Sequence, residues 1–406
     1  MPQLIWGNNY SCLPDTGFGV IYIVDVTRSL DRAMRGRLPT GVDRVILEYI
    51  KHFQQNAQAL VRWGGRWIVM RPQASQEVFS ALSMSDASLP WTLRRWVARE
   101  YAFSWNTPGE DCLLLNIGHS GLQDADYGLR VKTLGWRALY FLHDLIPITH
   151  PEYCRAGEAV LHRQRLQTMF STAGAIVVNS AATLADLQAY AQGQGVALPP
   201  CVVAHLAPGR LPAASPQRPL QQPYFVMLGT IEPRKNHLLV LQVWRQLVAQ
   251  MKGGIPRLVL VGQRGWECEQ VLDLLERCDV LRGVVLEQPR CSDQELATWL
   301  AHAQALLFPS FAEGYGMPLV EALSVGLPVL ASDLPAFREV AQDIPEYLDP
   351  LDGPAWAQAI MDYMPNAGNQ RRQAQCCRMA EWQAPTWGAH FARVDDMLQR
   401  SDVGLA

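Results

Sequence analysis

Short apolar runs of strand length alternate with helical patterns along most of the chain. In the second half, strands are predicted at 224–228, 257–261 and 305–309, and each is followed by a loop and a helical pattern. Strands that alternate with helices in this way form parallel sheets, because the crossover between two parallel strands is usually a helix. The sequence therefore predicts an α/β fold built from doubly wound parallel sheets.

The chain is too long for one ordinary domain and contains one proline-rich break. Domains usually hold about 100–200 residues, so a chain of 406 residues is expected to form two. Residues 208–223 carry five prolines, which exclude regular secondary structure. We predict a first domain over 1–207, a linker over 208–223, a second domain over 224–382, and a helix over 383–406 that can cross back to the first domain.

The composition narrows the class of protein. Hydrophobic residues make up 49% of the chain and charged residues 18%, which is typical of globular rather than disordered proteins. No apolar run reaches about 18 residues and no leader pattern begins the chain, so neither a membrane-spanning helix nor a secretory signal is expected. Nine cysteines without a C-x-x-C motif indicate reduced thiols in a cytoplasmic protein. A net charge of −3 argues against a nucleic-acid partner.

One stretch, 309–333, combines two glutamates with a glycine-rich turn. An apolar run ends at its start, glycines interrupt the chain, and a short helical pattern follows, so Glu313 is predicted in a loop and Glu321 about one turn into a helix. The backbone N–H groups at such a helix start can bind hydroxyls or an anion, and Gly316 allows a ligand to approach closely. Ionised carboxylates are suited to accept hydrogen bonds from sugar hydroxyls.

Each half of this interpretation has a plainer alternative. Glu321 alone is more often an ordinary first-turn helix residue, and Glu313 alone a solvated loop charge. The same holds for Arg234 and Lys235, which follow the strand at 224–228 and are suited to hold a diphosphate. Because both loops leave the carboxyl ends of parallel strands in one sheet, they are expected to open on one crevice. Together they favour a binding site.

The first half of the chain contributes two further candidates. Thr40 and Gly41 precede a helical pattern, so Gly41 would let a ligand approach the helix start and Arg44 would project near it; a tight helix cap is the alternative. His143 follows the strand predicted at 138–142. Strand ends of this kind face the ligand crevice in a doubly wound sheet.

A predicted helix over 90–105 is dense in aromatic residues and arginine. Trp91, Trp96 and Tyr101 with Arg94 and Arg95 form the combination that interfacial helices use at anionic lipid headgroups. A partly buried surface helix of a large domain reads much the same, so both interpretations stay open.

No metal site and no cofactor are predicted. Asp124 and Asp126 form a D-x-D tripeptide, but they lie in a polar turn without a third ligand nearby. We interpret this pattern as chance.

Several motifs resemble the family 4 glycosyltransferases, which are retaining enzymes of the GT-B fold. In particular the chain is similar to bacterial mannosyltransferase-B-like enzymes of polysaccharide assembly. The motifs in the second half are LGTIEPRKNH, LVLVGQRGWE and FPSFAEGYGMPLVEALSVGLPVLASDLPAFREV, and those in the first half are LPTGVDRVILEYI and FLHDLIPITHPEY. The resemblance is strong over 224–342, patchy over 18–50 and 137–190, and absent over 72–110. Its implied fold is two Rossmann-like domains that face a central cleft.

The resemblance also assigns roles to individual residues. Four of them would act in catalysis: Glu313, His143, Arg234 and Lys235. Eight would bind the donor: Glu321, Gly316, Met317, Gly314, Tyr315, Gly229, Thr230 and Gly41.

In these roles, Glu313 would contact hydroxyls of the donor sugar and Glu321 the ribose. Arg234 and Lys235 would hold the diphosphate, and His143 would lie under the sugar near the reacting carbon. The amides around Gly316 and Met317 would bind the sugar, and Gly41 would pack beside the phosphates. Two positions depart from the family, which often has paired glycines where this chain has only Gly41, and leucine where it has Met317.

The expected activity is transfer of a sugar, with mannose from GDP-mannose as the best assignment, to a glycan or lipid-linked acceptor in bacterial cell-surface polysaccharide assembly. The nucleotide diphosphate sugar is a substrate, and no metal is expected. The protein is expected in the cytoplasm, with peripheral contact to the inner face of the membrane. The alternatives are a rhamnosyl- or other hexosyltransferase with a different nucleotide, an epimerase or phosphorylase of the same fold, and a non-catalytic sugar-nucleotide-binding subunit.

Overall fold

Two sheets, one mostly parallel and one wholly parallel, follow one another in the chain and form the framework of the protein. The structure is a computed structural model, and it describes residues 20–37, 40–83, 89–103, 109, 112–365 and 370–400. The first sheet has seven strands and the second has six. Each is covered by helices on both faces, which confirms the predicted α/β class.

The first sheet has the strand order β3-β2-β1-β4-β5-β6-β7. All neighbouring strands are parallel except the edge strand β3, which is antiparallel to β2. The strands are β1 (Ile21–Asp25), β2 (Ala57–Trp63), β3 (Arg66–Val69), β4 (Cys112–Asn116), β5 (Arg137–Leu142), β6 (Ala173–Val178) and β7 (Cys201–Val203).

Eight helices connect these strands. They are α1 (Thr27–Met34), α2 (Gly41–Phe53), α3 (Pro72–Leu82), α4 (Leu89–Phe103), α5 (Ala125–Thr133), α6 (Ile146–Thr149), α7 (Glu158–Thr172) and α8 (Ala181–Gln194). Thr40 caps α2, which was the alternative interpretation: its backbone N–H and its hydroxyl both donate to the Asp43 carboxylate, at 2.7 and 2.6 Å.

The second sheet is parallel throughout, with the order β10-β9-β8-β11-β12-β13. Its strands are β8 (Tyr224–Leu228), β9 (Arg257–Val261), β10 (Val285–Gln288), β11 (Leu306–Phe308), β12 (Val329–Ser332) and β13 (Glu346–Leu348). This is the order of a dinucleotide-binding fold, in which the chain changes direction between its first and fourth strands, here β8 and β11. Ligands bind in the crevice that opens at that point.

The central strands of the second sheet explain why it lies in the interior. Every residue of β8 and of β11 is buried, so these strands are continuous apolar runs rather than alternating ones. The helices are α9 (His237–Gln250), α10 (Glu269–Arg277), α11 (Asp293–His302), α12 (Met317–Ser324), α13 (Pro335–Ala341), α14 (Gly353–Asp362), α15 (Gln370–Met379) and α16 (Trp387–Arg400).

Two predicted helices differ from the observed ones at their ends. The helix predicted over 90–105 is α4, which ends at Phe103, so that Trp105 lies outside the described residues. The helix predicted over 383–406 is α16, and residues 401–406 lie outside the described part of the chain. Residues 204–223, which include the proline-rich segment, form neither helix nor strand.

The last helix, α16, packs against the first domain. The ring of His390 is buried there and lies between two partners: Nδ1 donates to the His205 carbonyl at 3.1 Å, and Nε2 accepts from the Tyr49 hydroxyl at 3.0 Å. Arg393 donates to the Val203 carbonyl at 3.0 Å, at the edge strand β7. The end of the chain is thus tied to the sheet that the start of the chain forms.

This contact predicts a dependence of stability on pH. Burial lowers the pKa of His390 from 6.5 to about 4. Between those two pH values the unfolded chain binds a proton at this ring that the folded chain does not, so stability is lost as the pH falls from about 6.5 towards 4. In urea unfolding, His390→Gln should lose up to about 3 kcal/mol less free energy of unfolding than the wild type between neutral pH and about pH 4.5. An equal loss in the two proteins would contradict the assignment.

Candidate functional site

The loops that follow β8 and β11 meet at the switch point of the second sheet. After β8 the chain makes one 3₁₀ turn, Pro233–Lys235, before α9 begins. After β11 it runs through residues 309–316 to the start of α12. The two loops are joined by a hydrogen bond from the Phe311 N–H to the Arg234 carbonyl, 2.9 Å long. The predicted convergence of the two loops on one crevice is therefore observed.

The carboxylate of Glu313 lies between the two predicted cations. One of its oxygens is 2.5 Å from Lys235 Nζ and the other is 2.5 Å from Arg234 Nη1. The Ser310 hydroxyl donates to the first oxygen at 2.8 Å. Arg234 also pairs with Glu232, at 2.6 Å. The cluster therefore contains two cations and two carboxylates and is close to neutral in charge.

Burial makes this cluster electrostatically sensitive, because the Glu313 and Lys235 side chains are each only 9% exposed. Burial alone would raise the pKa of Glu313, but the charges of Arg234 and Lys235 outweigh it and lower the pKa to about 2. Burial lowers the pKa of Lys235 despite the nearby carboxylate. Arg234 stays a cation, since Glu313 and Glu232 overcome the effect of burial and raise its pKa. A buried carboxylate is thus held ionised by two basic side chains.

Glu321 lies in α12 and faces the first domain. Its side chain is 10% exposed, and one oxygen is 3.6 Å from Arg44 Nη1 on α2. The other nitrogen of that guanidinium, Nη2, is 2.5 Å from Asp293 at the start of α11. Burial raises the pKa of Glu321, while Arg44 and the backbone N–H of Gly209 act against that shift. The Glu321 carboxylate, which is predicted to bind the ribose, is therefore already paired with a cation from the other domain.

The glycines of the 309–316 loop are required by close contacts. Gly316 is in the left-handed region, with φ of 107°, and a Cβ there would lie 2.7 Å from the Phe337 ring. A Cβ on Gly314 would lie 2.3 Å from the His143 carbonyl oxygen. Met317 is the first residue of α12, and the N–H groups of Leu319 and Val320 donate to the Gly316 carbonyl at 3.0 and 3.2 Å. Side chains would be excluded at both glycines.

The glycine of the other loop, Gly229, makes room for Lys235. Its φ is 130°, and a Cβ there would lie 3.3 Å from Lys235 Cε. Thr230 follows it, next to a close crossing of the backbone at Gly265. Gly41, in contrast, is the first residue of α2, and a Cβ on it would meet no atom within 4 Å. Packing therefore does not explain the glycine at position 41.

The side chain of Tyr315 is engaged within the protein. Its side chain is buried, and its hydroxyl donates to the Leu206 carbonyl at 2.6 Å. The ring therefore attaches the loop to the segment between the domains, and only the backbone of Tyr315 is available to a ligand. The sequence did not reveal this, because Leu206 lies more than a hundred positions away.

His143 follows β5 in the first domain and contacts the Gly314 turn. Its ring donates through Nε2 to the Ile117 carbonyl at 2.8 Å, and its own carbonyl accepts from Asn179 at 2.8 Å. Burial lowers the pKa of His143 to about 4, so the ring is neutral at pH 7 with the lone pair on Nδ1. A second imidazole, His119, lies 5.2 Å away between ring centres.

The two domains meet closely around this turn. The hydroxyls of Ser180 and Thr183 donate to the Gly314 carbonyl at 2.7 and 3.1 Å. The Glu339 carboxylate accepts from the Ala181 N–H at 2.7 Å, at the start of α8. The structure therefore brings Glu313, Arg234, Lys235 and His143 to facing loops of the two sheets.

The site includes residues that the sequence analysis did not single out. Glu232, Ser310 and Asp293 each pair with a predicted site residue. Glu232 carried a weak signal, since an acid two positions before Arg234 is well placed to pair with it. Asp293 carried none, because its partner Arg44 is 249 positions away.

The aspartates of the D-x-D tripeptide lie elsewhere in the fold. Asp124 is exposed and 3.6 Å from Arg62, and Asp126 is in the first turn of α5. Among the described residues, no group of three or more His, Cys, Asp and Glu side chains is arranged to hold a metal ion.

Comparison with known proteins supports the resemblance. Residues 222–366 match the family model described as Glycosyl transferases group 1. The serotype-specific mannosyltransferase WbdA of Escherichia coli is 27% identical over 250 residues, which are 58% of this chain and 30% of that protein. The O-antigen chain mannosyltransferase B of Escherichia coli is 37% identical over 131 residues, which are 32% of this chain and 34% of that protein. The chain thus spans about a third of the length of these curated relatives.

Solved structures agree with the fold over nearly the whole chain. HepE of Anabaena, crystallised with UDP, superposes with a TM-score of 0.59 at 16% identity and covers 95% of this chain and 96% of its own. Sucrose-phosphate synthase of Thermosynechococcus elongatus gives a TM-score of 0.62 at 14% identity, over 94% and 98%. These similarities establish the fold. The chain has the GT-B fold, and its residues 222–366 match the model of the group 1 glycosyl transferases.

Proposed function

We propose that the chain is a retaining glycosyltransferase that moves a sugar from a nucleotide diphosphate donor to a hydroxyl of a glycan or lipid-linked acceptor. The observation that carries this proposal is the buried Glu313 carboxylate held between Arg234 and Lys235, at the switch point of the second sheet and opposite His143. The best assignment of the donor is GDP-mannose. Its support is the similarity to proteins named mannosyltransferases, and the acceptor is a cell-surface polysaccharide by the same similarity.

The two cations would bind the diphosphate. They are neutralised by Glu313 and Glu232, and an arriving diphosphate offers them a stronger negative partner. Met317, the first residue of α12, offers a backbone N–H at the end of the Glu313 loop. As Arg234 and Lys235 turn towards the phosphates, the Glu313 carboxylate becomes free to accept hydrogen bonds from the hydroxyls of the sugar.

In the transfer step the bond from the anomeric carbon to the diphosphate breaks and a bond to the acceptor oxygen forms on the same face. The departing phosphate takes the proton of the acceptor hydroxyl, so the step requires no separate base. Arg234 and Lys235 stabilise the negative charge as it develops, which is the task a metal ion performs in other transferases. His143 is neutral and offers a lone pair to the sugar or to a hydroxyl near the reacting carbon.

Contacts between the domains would exclude water during the step. Tyr153 of the first domain stacks on Phe311 of the second, with ring centres 5.1 Å apart. Arg155 lies over the Trp266 ring at 4.7 Å. A closed cleft of this kind protects the donor from hydrolysis.

A thermal-shift screen tests the donor assignment. We expect GDP and GDP-mannose to stabilise the protein more than UDP, ADP and dTDP and their sugars, because a ligand at a hundred times its Kd adds about 2.7 kcal/mol. Stronger stabilisation by another nucleotide would replace the GDP-mannose assignment and leave the transferase proposal in place.

A second experiment separates transfer from epimerisation and phosphorolysis: the purified protein is incubated with the donor alone and then with the donor and phosphate. A protein that never consumes the donor would be a binding subunit.

Glu313→Gln should lower kcat/KM for sugar transfer by about a hundredfold to a thousandfold. The substitution removes the negative charge of the carboxylate beside the reacting sugar and keeps the shape of the side chain. Diphosphate binding should survive, because both cations remain. Glu287→Gln is the matched control: Glu287 pairs with Arg264 at 2.9 Å on the same sheet but away from the switch point, and near-normal transfer is expected. Near-normal transfer by Glu313→Gln would overturn the site.

Lys235→Met and Arg44→Gln should change nucleoside diphosphate affinity in opposite directions. Lys235→Met keeps the apolar stem and removes a charged hydrogen-bond donor worth about 1.5–3 kcal/mol, so the Kd should rise at least about tenfold.

Arg44→Gln frees Glu321 for the ribose by removing a half-exposed ion pair worth about 0.2–1 kcal/mol, so the Kd should fall by up to about fivefold. Calorimetry measures both. An unchanged Kd for Lys235→Met, or a weaker one for Arg44→Gln, would contradict these roles.

A further inference from the structure

Helix α4 presents an outward side that the proposed transfer reaction does not use. Leu93, Val97 and Glu100 repeat at helical spacing and are buried against the domain. On the opposite side lie Trp91 and Arg95. Trp91 is 72% exposed, and Arg95 is exposed with no partner in the described part of the chain.

The outward side of α4 carries three arginines, one of which is paired: the Arg99 guanidinium lies 3.8 Å from Glu77 and 3.5 Å from Glu100. Arg94 and Arg99 flank Trp91 and Arg95, and the Arg94 guanidinium lies 5.8 Å from the centre of the Trp91 ring. The one acid of this helix, Glu100, is buried and pairs with Arg71 at 2.7 Å. A second exposed aromatic side chain, Phe103, ends the helix and is also 72% exposed.

The hairpin between β2 and β3 extends this surface. Trp63, at the carboxyl end of β2, is 47% exposed. Arg66, at the start of β3, donates to the Tyr101 carbonyl at 3.0 Å and lies 4.6 Å from the Tyr101 ring centre, which attaches the hairpin to the last turn of α4. We call the combined surface the aromatic–cationic face and define it by Trp63, Trp91, Arg94, Arg95, Arg99 and Phe103.

We propose that the aromatic–cationic face docks on the surface of an anionic lipid bilayer. Tryptophan rings favour the headgroup layer, and each arginine near an anionic surface adds an attraction that does not require an exact partner position. Trp91 and Phe103 lie about 18 Å apart along the helix, with guanidiniums between them. A deformable headgroup layer accepts exposed rings and arginines side by side, because neither needs a partner at a fixed position.

The location of the face would place the cleft at the membrane. Arg94 donates to the Met34 carbonyl at the end of α1, and α1 follows the carboxyl end of β1. Trp63 is at the carboxyl end of β2, which is parallel to β1. His143 follows the carboxyl end of β5 in the same sheet. Docking would therefore orient the edge of the first sheet that carries His143 towards the lipid. The contact goes beyond the proposed transfer reaction, because binding to a bilayer requires no catalysis.

Sedimentation of the 406-residue chain with vesicles tests the proposal. One set of vesicles contains phosphatidylcholine alone and the other one part phosphatidylglycerol to two parts phosphatidylcholine. We expect the protein to sediment with the anionic vesicles and to be released by high salt. Removing the charges with Arg94→Gln and Arg95→Gln should weaken the partition coefficient by about fivefold for each arginine.

The double variant Trp91→Ser, Arg95→Glu should abolish sedimentation. Its matched control is Val160→Ser, Arg163→Glu on α7, since Val160 is 51% exposed and Arg163 is exposed without a partner in the described residues; it should sediment as the wild type does. Nucleoside diphosphate stabilisation should be unchanged in both, which shows that folding and the donor site are intact.

Two results would overturn the proposal: the wild type fails to sediment with anionic vesicles, or the Trp91→Ser, Arg95→Glu variant sediments as well as the control. If that variant also loses transfer to a soluble glycan, the face binds the acceptor instead. Failure of the donor-binding measurements alone would affect the proposed function and not the bilayer contact.

Discussion

The architecture of the site depends on one buried ionic cluster. Glu313 is kept ionised by Arg234 and Lys235, and these three groups come from loops that follow two neighbouring strands. Removing one member of such a cluster leaves an uncompensated buried charge, which typically costs about 3–5 kcal/mol. The loops must therefore keep their relative positions, and the buried strands β8 and β11 hold them there.

A near-neutral cluster is suited to bind an anion. Two cations without a counter-charge would repel each other in a buried site, and Glu313 and Glu232 serve as their partners. Arg44 does the same for Glu321 across the domain boundary. In both cases the protein itself pairs a charged side chain that we propose as a donor contact. Donor binding would then be an exchange of ionic partners, with little net burial of charge.

Joining the two domains also depends on groups that are far apart in the chain. The Gly314 carbonyl accepts hydroxyls from α8, Tyr315 binds the segment before the linker, and α16 returns to the first sheet through His390. These contacts position the His143 loop against the Glu313 loop. The opposing halves of the site are therefore aligned by backbone contacts and buried polar pairs outside the site itself.

Residue patterns predicted most of the strands and helices, but they predicted fewer of the side-chain contacts in the candidate site. The period of apolar residues determines strand and helix, so the α/β class and the loops carrying Glu313 and Arg234 followed from the sequence, and the motif resemblance led to the confirmed GT-B fold. The assigned roles of the site residues remain predictions.

The tertiary structure alone decided which distant residues pair. Arg44 with Glu321, Tyr315 with Leu206 and His390 with Tyr49 are contacts between separate elements, and no local pattern encodes them. The physical reason is that hydrophobic periodicity reports only which face of an element is buried, whereas the partner of a buried polar group is set by how those faces pack together.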